Sequence, residues 1–118
     1  MGNFSVTIGV ANVHGETFEE VESTVDTARD FTTLPRALLE RLGVPVTGTV
    51  VTEMADGQLV SCDTGWARIR LEGDEEYTRV IFGGEWEAIQ LGRITLQTAR
   101  LAVDLHNKRL VPVKVRRY

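Results

Sequence analysis

Residues 21–43 constrain the fold of this chain more than any other stretch. Polar and apolar residues alternate up to an Asp-Thr-Ala turn at residues 26–28, and a threonine-rich extended run follows the turn. A short helix is then predicted between Pro35, which suits a first helical turn, and Gly43, which suits a left-handed helix end. A carboxylate at the tip of a tight turn, with hydroxyls beside it and apolar segments on both sides, suits a buried catalytic acid.

Short strands are predicted on both sides of this segment. Residues 4–10 alternate between apolar and polar side chains, which is the period of two that a half-buried strand shows. Asp56-Gly57 between two β-prone arms is a strong hairpin signal. A further turn is predicted at residues 73–76.

Short elements joined by close turns are also predicted in the last third of the chain. A second short helix is predicted at residues 94–99 and a terminal hairpin at residues 101–113. Many short strands, close turns and two short helices predict an all-β fold, with a barrel-like sheet. With 118 residues, the chain is expected to form one domain, residues 1–118.

Four motifs occur in a fixed order along the chain. They are Asp26-Thr27-Ala28 leading to Leu34-Pro35 and the helix ALLERLG, then Ala55-Asp56-Gly57, then Gln90-Leu91-Gly92, and finally LAVD with RLVPV. In this order and at this spacing they resemble the retropepsin-like aspartic proteases, especially the small bacterial members of that family. The resemblance covers residues 4–113.

The resemblance implies a retropepsin-like acid protease barrel, present as a half-site monomer that forms a two-fold homodimer. An aspartic protease hydrolyses peptide bonds with two carboxylates and one water. Each chain would supply one catalytic Asp26, and no metal or organic cofactor is implied. The other implied site residues are the active-site loop (Thr27, Ala28, Arg29, Asp30), the substrate-binding flap (Met54, Ala55, Asp56, Gly57, Gln58) and the structural support (Leu91, Gly92, Arg93).

Three of these roles have simpler alternatives. By the family pattern Thr27 would bond across the dimer axis, but it could also cap its own turn. Asp30 and Arg93 match an acid and a base that pair in related proteases, but they could also be unrelated surface charges. The Asp56-Gly57 flap could likewise be a plain hairpin.

A literal Asp-Thr-Gly also occurs, at Asp63-Thr64-Gly65. No threonine-rich run, Leu-Pro or helix follows it, and it leads directly into an amphipathic strand. Asp63 is therefore expected to be an exposed strand or turn residue, and Asp26 is the preferred catalytic residue.

Three positions depart from the family pattern. Ala28 stands where the family has glycine, Arg29 where it usually has alanine, and Gln90 where it usually has an apolar residue. The Cβ of Ala28 restricts the backbone and takes space, and a guanidinium at Arg29 favours the ionised form of a nearby carboxylate. An inactive dimer that acts as a scaffold or peptide-binding module is thus an alternative to a protease, and an unrelated all-β domain is a third.

Charge and composition argue against nucleic acids and membranes as partners. A net charge of −4 argues against a nucleic-acid surface. Cys62 is the single cysteine, so no intrachain disulfide can form and a reducing interior fits. The first ten residues lack the features of a signal peptide, and no apolar run approaches the ~20 residues that span a bilayer. We expect a cytoplasmic protein whose partners are a second copy of itself and a peptide or protein substrate, with no nucleic acid and no membrane.

Overall fold

A computed structural model describes residues 4–118, so the predicted domain of residues 1–118 includes three residues outside the described part. Strands form most of the regular structure in that part, and two short helices interrupt them. The strands are β1 (Ser5–Asn12), β2 (Glu19–Val25), β3 (Thr32–Pro35), β4 (Gly48–Glu53), β5 (Leu59–Leu71), β6 (Asp74–Gly83), β7 (Gln90–Leu91), β8 (Leu101–Asp104) and β9 (Arg109–Pro112). The helices are α1 (Arg36–Arg41) and α2 (Arg93–Thr98).

Six strands close into a barrel. The order in the main sheet is β1-β2-β7-β3-β6-β5-β4, and β1 also pairs with β5. That extra pairing, from Gly9↔Arg70 to Asn12↔Ala67, joins the two ends of the six-strand run and leaves β4 outside it. Closure removes the free edges that an open sheet would expose. The predicted barrel-like, all-β fold is confirmed.

The long strand β5 belongs both to the barrel wall and to a hairpin with β4. Its second half pairs with β6 and β1 in the barrel wall. Residues 59–63 pair only with β4, and Thr64 pairs with both β4 and β6, through Gly48 and Ile81. The β4–β5 hairpin therefore extends from the barrel as an arm, with residues 54–58 at its tip.

The two-residue strand β7 determines how the Asp26 segment is held. It pairs in parallel with β2 through Thr24↔Gln90 and Val25↔Leu91, and antiparallel with β3 through Thr33↔Gln90. The loop that joins β2 to β3, residues 26–31, must therefore pass over the end of β7. This placement brings residues 91–93 against residues 26–30.

An apolar core fills the barrel, and the helices cover its ends. Leu38 and Leu39 of α1 and Leu96 of α2 are buried in the cluster that includes the inward side chains of the strands. The predicted helix between Pro35 and Gly43 is observed as α1, which begins directly after Pro35 and is followed by Gly43 at φ +79°. Each buried leucine contributes roughly 1.5–3 kcal/mol.

The turn predicted at residues 73–76 was placed too late. Glu72 and Gly73 alone form it, at φ +52° and +86°, because Leu71 already pairs with Asp74. Two consecutive positive φ values are typical of the two-residue turns whose twist matches that of the flanking strands. Glycine marks the second of these positions in the sequence, but a glutamate gives no signal of a left-handed backbone.

The β8–β9 hairpin has its own turn chemistry. The side chain and the backbone N–H of Asn107 both donate to the Asp104 carboxylate, at 2.8 and 3.1 Å. These bonds, with a smaller contribution from Arg109, lower the pKa of Asp104. A lowered pKa in the folded state means that the turn gains stability above the ordinary aspartate pKa and loses it as pH falls through the lowered value.

Candidate active site

The Asp26 carboxylate lies at the tip of a turn that its own backbone and side chain stabilise. The Asp26 N–H donates to the Leu91 carbonyl at 3.2 Å, and the Asp26 carbonyl accepts from the Arg29 N–H at 3.2 Å. Oδ1 accepts from the Ala28 N–H at 3.0 Å. The side chain is 24% exposed, so the loop orients a partly exposed carboxylate.

The loop is fixed on its far side by the start of α2. The Arg93 N–H donates to the Arg29 carbonyl at 2.8 Å, and the Ile94 N–H donates to the Asp30 carbonyl at 2.9 Å. These donors are among the first N–H groups of a helix, which have no partner inside the helix itself. Arg93 also pairs with Asp30 through its side chain, Nη2 to Oδ1 at 2.5 Å. The two residues thus form an ion pair within one chain.

Gly92 makes this arrangement sterically possible. A Cβ at this position would lie 2.4 Å from the Phe31 carbonyl carbon and 2.7 Å from the Thr32 nitrogen. Real Cβ atoms essentially never make non-bonded contacts this short, so the backbone of the loop and the backbone before α2 can meet only at a glycine.

Three buried threonines tie the loop, α2 and the barrel wall together. Thr32 Oγ1 lies 2.6 Å from Thr95 Oγ1, which in turn lies 3.1 Å from Thr78 Oγ1. Thr32 Oγ1 also accepts from the Gly92 N–H at 3.0 Å. Each such bond contributes about 1 kcal/mol, and an unpaired buried hydroxyl would be unfavourable. Sequence reasoning missed Thr95 and Thr78, because the three threonines lie in β3, β6 and α2, far apart in the sequence.

Thr27 and Ala28 lie exposed at the turn. The Asp26 carboxylate caps the turn. The Thr27 side chain makes no hydrogen bond among the described residues, so it does not cap the turn itself. Thr27 instead borders an open depression of about 380 Å³, whose lining also includes Leu96, Val103 and Leu105. The depression lies between the Asp26 loop, α2 and β8, and its lining is mainly apolar.

Arg29 makes the one close charged contact that Asp26 has among the described residues. Its Nε lies 3.5 Å from Asp26 Oδ2, and its side chain is 43% exposed. The guanidinium therefore stands at Oδ2, whereas Oδ1 accepts from the Ala28 N–H. Partly exposed pairs of this kind contribute only about 0.2–1 kcal/mol.

The tip of the β4–β5 arm is ordered by its own backbone. The Met54 N–H donates to the Gln58 carbonyl and the Gly57 N–H to the Met54 carbonyl, both at 2.8 Å. Asp56 Oδ1 accepts from the Gln58 N–H at 2.9 Å. A Cβ on Gly57 would have no neighbour within 4 Å. All five residues at the tip, Met54, Ala55, Asp56, Gly57 and Gln58, are exposed.

The literal Asp-Thr-Gly motif lies inside β5. Asp63 Oδ2 accepts from Arg36 Nη2 at 2.6 Å, so the carboxylate pairs with the first residue of α1. Thr64 is fully buried. A Cβ on Gly65 would lie 2.5 Å from the Pro45 carbonyl oxygen. Thr64 and Gly65 thus have packing roles, and Asp63 is a strand residue whose side chain is 38% exposed.

Residues 4–118 contain no cluster of three or more His, Cys, Asp or Glu side chains that could hold a metal ion. Among the same residues, neither helix has the length and apolar character needed to span a membrane.

The fold is similar to that of a known protease. EIAV protease in complex with the inhibitor HBY-793 matches the structure with a TM-score of 0.57 and 19% sequence identity, over 80% of this chain and 86% of that chain. No protein-family model and no curated protein matches the sequence. At this identity the likeness establishes the fold alone: the chain is mostly β and has the fold of a retroviral protease.

Proposed function

We propose that this chain is an aspartic endopeptidase of the small bacterial retropepsin type, active as a two-fold homodimer with one Asp26 from each chain. The observation that carries the proposal is the Asp26 turn in a retroviral-protease fold. The loop is held from beneath by the Leu91 carbonyl and from the side by Arg93, so that the carboxylate faces outward with limited freedom. Preorganisation of this kind is what a catalytic acid or base requires.

The proposed chemistry needs two carboxylates with one proton between them. Like charges at hydrogen-bonding distance cannot both ionise without a large penalty, so the pair keeps a proton. The ionised Asp26 takes a proton from water, and the resulting hydroxyl attacks the scissile carbonyl carbon. The protonated Asp26 of the other copy donates to the carbonyl oxygen. Proton return to the nitrogen then accompanies cleavage of the C–N bond, and neither metal nor organic cofactor enters the reaction.

Peptide binding is assigned to the arm and the barrel mouth. The exposed tip at residues 54–58 would close over an extended peptide, which binds to strand edges through backbone hydrogen bonds and places alternate side chains in pockets. Exposed apolar side chains on the arm, Val51 at 69% and Leu59 at 67%, fit a hairpin that covers a ligand. We place the protein in the cytoplasm, with a peptide or protein substrate and no nucleic-acid partner.

We expect a homodimer of about 26 kDa, twice the 13.1 kDa of one chain. The proposed contact surface is the terminal hairpin at residues 101–113 with the depression beside Thr27, because Leu105 and Val113 are 58% and 44% exposed there. Sedimentation velocity at high micromolar concentration measures the mass. Leu105→Asp should raise the monomer fraction, whereas Val46→Asp, at a similarly exposed valine elsewhere, should not. A wild-type chain that stays monomeric would exclude both the protease and the dimeric scaffold.

A dimer of this fold without catalysis is the second candidate function. The ion pair of Arg29 with Asp26 favours it, because a cation beside the carboxylate stabilises the ionised form and opposes the shared proton. Ala28 adds a methyl group beside the same carboxylate. Such a chain would bind peptides or act as a scaffold.

The double variant Ala28→Gly with Arg29→Ala separates these candidates. On a peptide without charged residues, kcat/KM should rise by a factor of roughly 2 to 5, the equivalent of a partly exposed ion pair. Initial-rate measurements of both proteins on this peptide at one fixed pH provide the measurement. A native chain that is the more active of the two would show that the loop is not impaired, and the inactive dimer would lose its main support.

A further inference from the structure

Arg29 combines a fixed backbone with a partly exposed side chain. Its backbone N–H donates to the Asp26 carbonyl, and its backbone carbonyl accepts from the Arg93 N–H. Its side chain is 43% exposed. The fixed backbone holds the positive charge close to Asp26. The exposure of the side chain leaves the guanidinium accessible to a ligand.

Most of the hydrogen-bonding capacity of this guanidinium is unused. Its closest charged contact, Nε to Asp26 Oδ2, is 3.5 Å, longer than a normal N–H···O bond. Among residues 4–118 neither Nη1 nor Nη2 makes a hydrogen bond. An arginine presents five N–H donors in a planar fork that matches the two oxygens of a carboxylate. Arg29 can therefore bind a second carboxylate through two hydrogen bonds, a closer contact than the one it makes with Asp26.

Neighbouring charges do not compete for it. Asp30 is paired with Arg93 at 2.5 Å, and Asp63 is paired with Arg36 at 2.6 Å. Both carboxylates thus have cations of their own. Asp26 is the one carboxylate that contacts Arg29 among the described residues, so a bound substrate can supply a second.

The net charge of the assembled site also favours an acidic substrate. This step rests on the proposed function, in which two loops meet at the dimer axis. A pair of Asp26 carboxylates that shares one proton carries a single negative charge, and the two Arg29 side chains carry two positive charges. The site would then have an excess of positive charge, which one acidic substrate residue neutralises.

We propose that Arg29 is a specificity-determining residue that binds an aspartate or glutamate side chain of the substrate next to the scissile bond. Binding of that carboxylate draws the guanidinium away from Asp26 Oδ2. The same event orients the peptide and removes the cation that opposes the shared proton. Peptides with an acidic residue at this position are thus the substrate class of the enzyme.

A digest of a mixed peptide library, read by mass spectrometry, first identifies the cleaved bonds. Matched peptides that differ only in glutamate or glutamine beside the preferred bond are then compared. The glutamate peptide should have a kcat/KM about tenfold higher, the size of a charge-assisted hydrogen bond discounted for exposure. Arg29→Ala should remove the preference, Arg29→Lys should keep part of it, and Arg29→Glu should transfer it to a lysine peptide.

Arg41→Ala is the matched control, because it removes one positive charge at the end of α1, from a surface ion pair with Glu19 of β2. It should leave the glutamate preference unchanged. Equal cleavage of both peptides by the wild-type chain, or a preference that survives Arg29→Ala, would overturn the inference while leaving the proteolytic function in place.

A binding experiment separates the inference from the proposed function. Fluorescein-labelled versions of a glutamate and a glutamine peptide are titrated with wild-type protein and with Arg29→Ala, and anisotropy is recorded. Tighter binding of the glutamate peptide that depends on Arg29, in a protein without turnover, would support the inference and contradict proteolysis. Absence of both binding and turnover would overturn both.

Discussion

Asp26→Asn is expected to reduce peptide cleavage by about 10²- to 10⁴-fold, the contribution of a general acid or base. Asparagine keeps a side-chain oxygen that can accept from the Ala28 N–H, now bonded to Oδ1 at 3.0 Å, so the turn should persist. It cannot take a proton from water, so general base catalysis is lost. Cleavage of a fluorogenic peptide and the circular dichroism spectrum together test this expectation.

Asp63→Asn is the matched control, since the same change is made in the other Asp-Thr motif. It weakens the pair with Arg36, which is partly exposed on both sides, and should lower stability by at most ~1 kcal/mol. Most of the activity should remain. The opposite outcome, an inactive Asp63→Asn and an active Asp26→Asn, would move the catalytic carboxylate to β5.

Gly92→Ala is expected to cause the largest loss of stability of any single methyl addition near the loop. The new Cβ would lie 2.4 Å from the Phe31 carbonyl carbon and 2.6 Å from its oxygen. Both neighbours are backbone atoms and cannot turn away, so the loop and the start of α2 must separate. That movement would also break the bond from the Gly92 N–H to Thr32. We expect a loss of about 3 kcal/mol or more in the free energy of unfolding, measured by urea denaturation.

Gly84→Ala provides the comparison in the loop that leads to β7. Its added Cβ would lie 3.6 Å from Glu87 Oε1, an ordinary contact, and the Gly84 backbone does not have a positive φ. The change should alter the free energy of unfolding by less than ~1 kcal/mol. Equal effects of the two variants would mean that the close approach at Gly92 does not hold the loop.

Local patterns predicted much of the scaffold. Alternation with a period of two predicted the strands, Pro35 and Gly43 bracketed α1, and Asp56-Gly57 marked the tip of the β4–β5 arm. These signals depend on the backbone preferences and side-chain spacing of neighbouring residues, which a linear sequence records directly. The order of motifs added the barrel class, which the similarity to EIAV protease confirms.

Long-range contacts decided the rest. Two residues, Gln90 and Leu91, are too few to show a strand period, yet their pairing with β2 and β3 places the supporting segment under Asp26. Two Asp-Thr motifs could be ranked from the sequence, but only the folded chain shows Asp63 paired with Arg36.

The sequence by itself determined which segments form strands, turns and helices, and which carboxylate stands in a turn of the right pattern, because those properties depend on near neighbours. Only the tertiary structure decided that Arg29 stands beside Asp26 Oδ2, that Gly92 touches the backbone at Phe31, and that Thr32, Thr78 and Thr95 share one hydroxyl network. The last two contacts join residues that lie far apart in the chain. All three depend on the angles at which the turn and the segments cross, and the spacing of residues along a chain does not contain those angles.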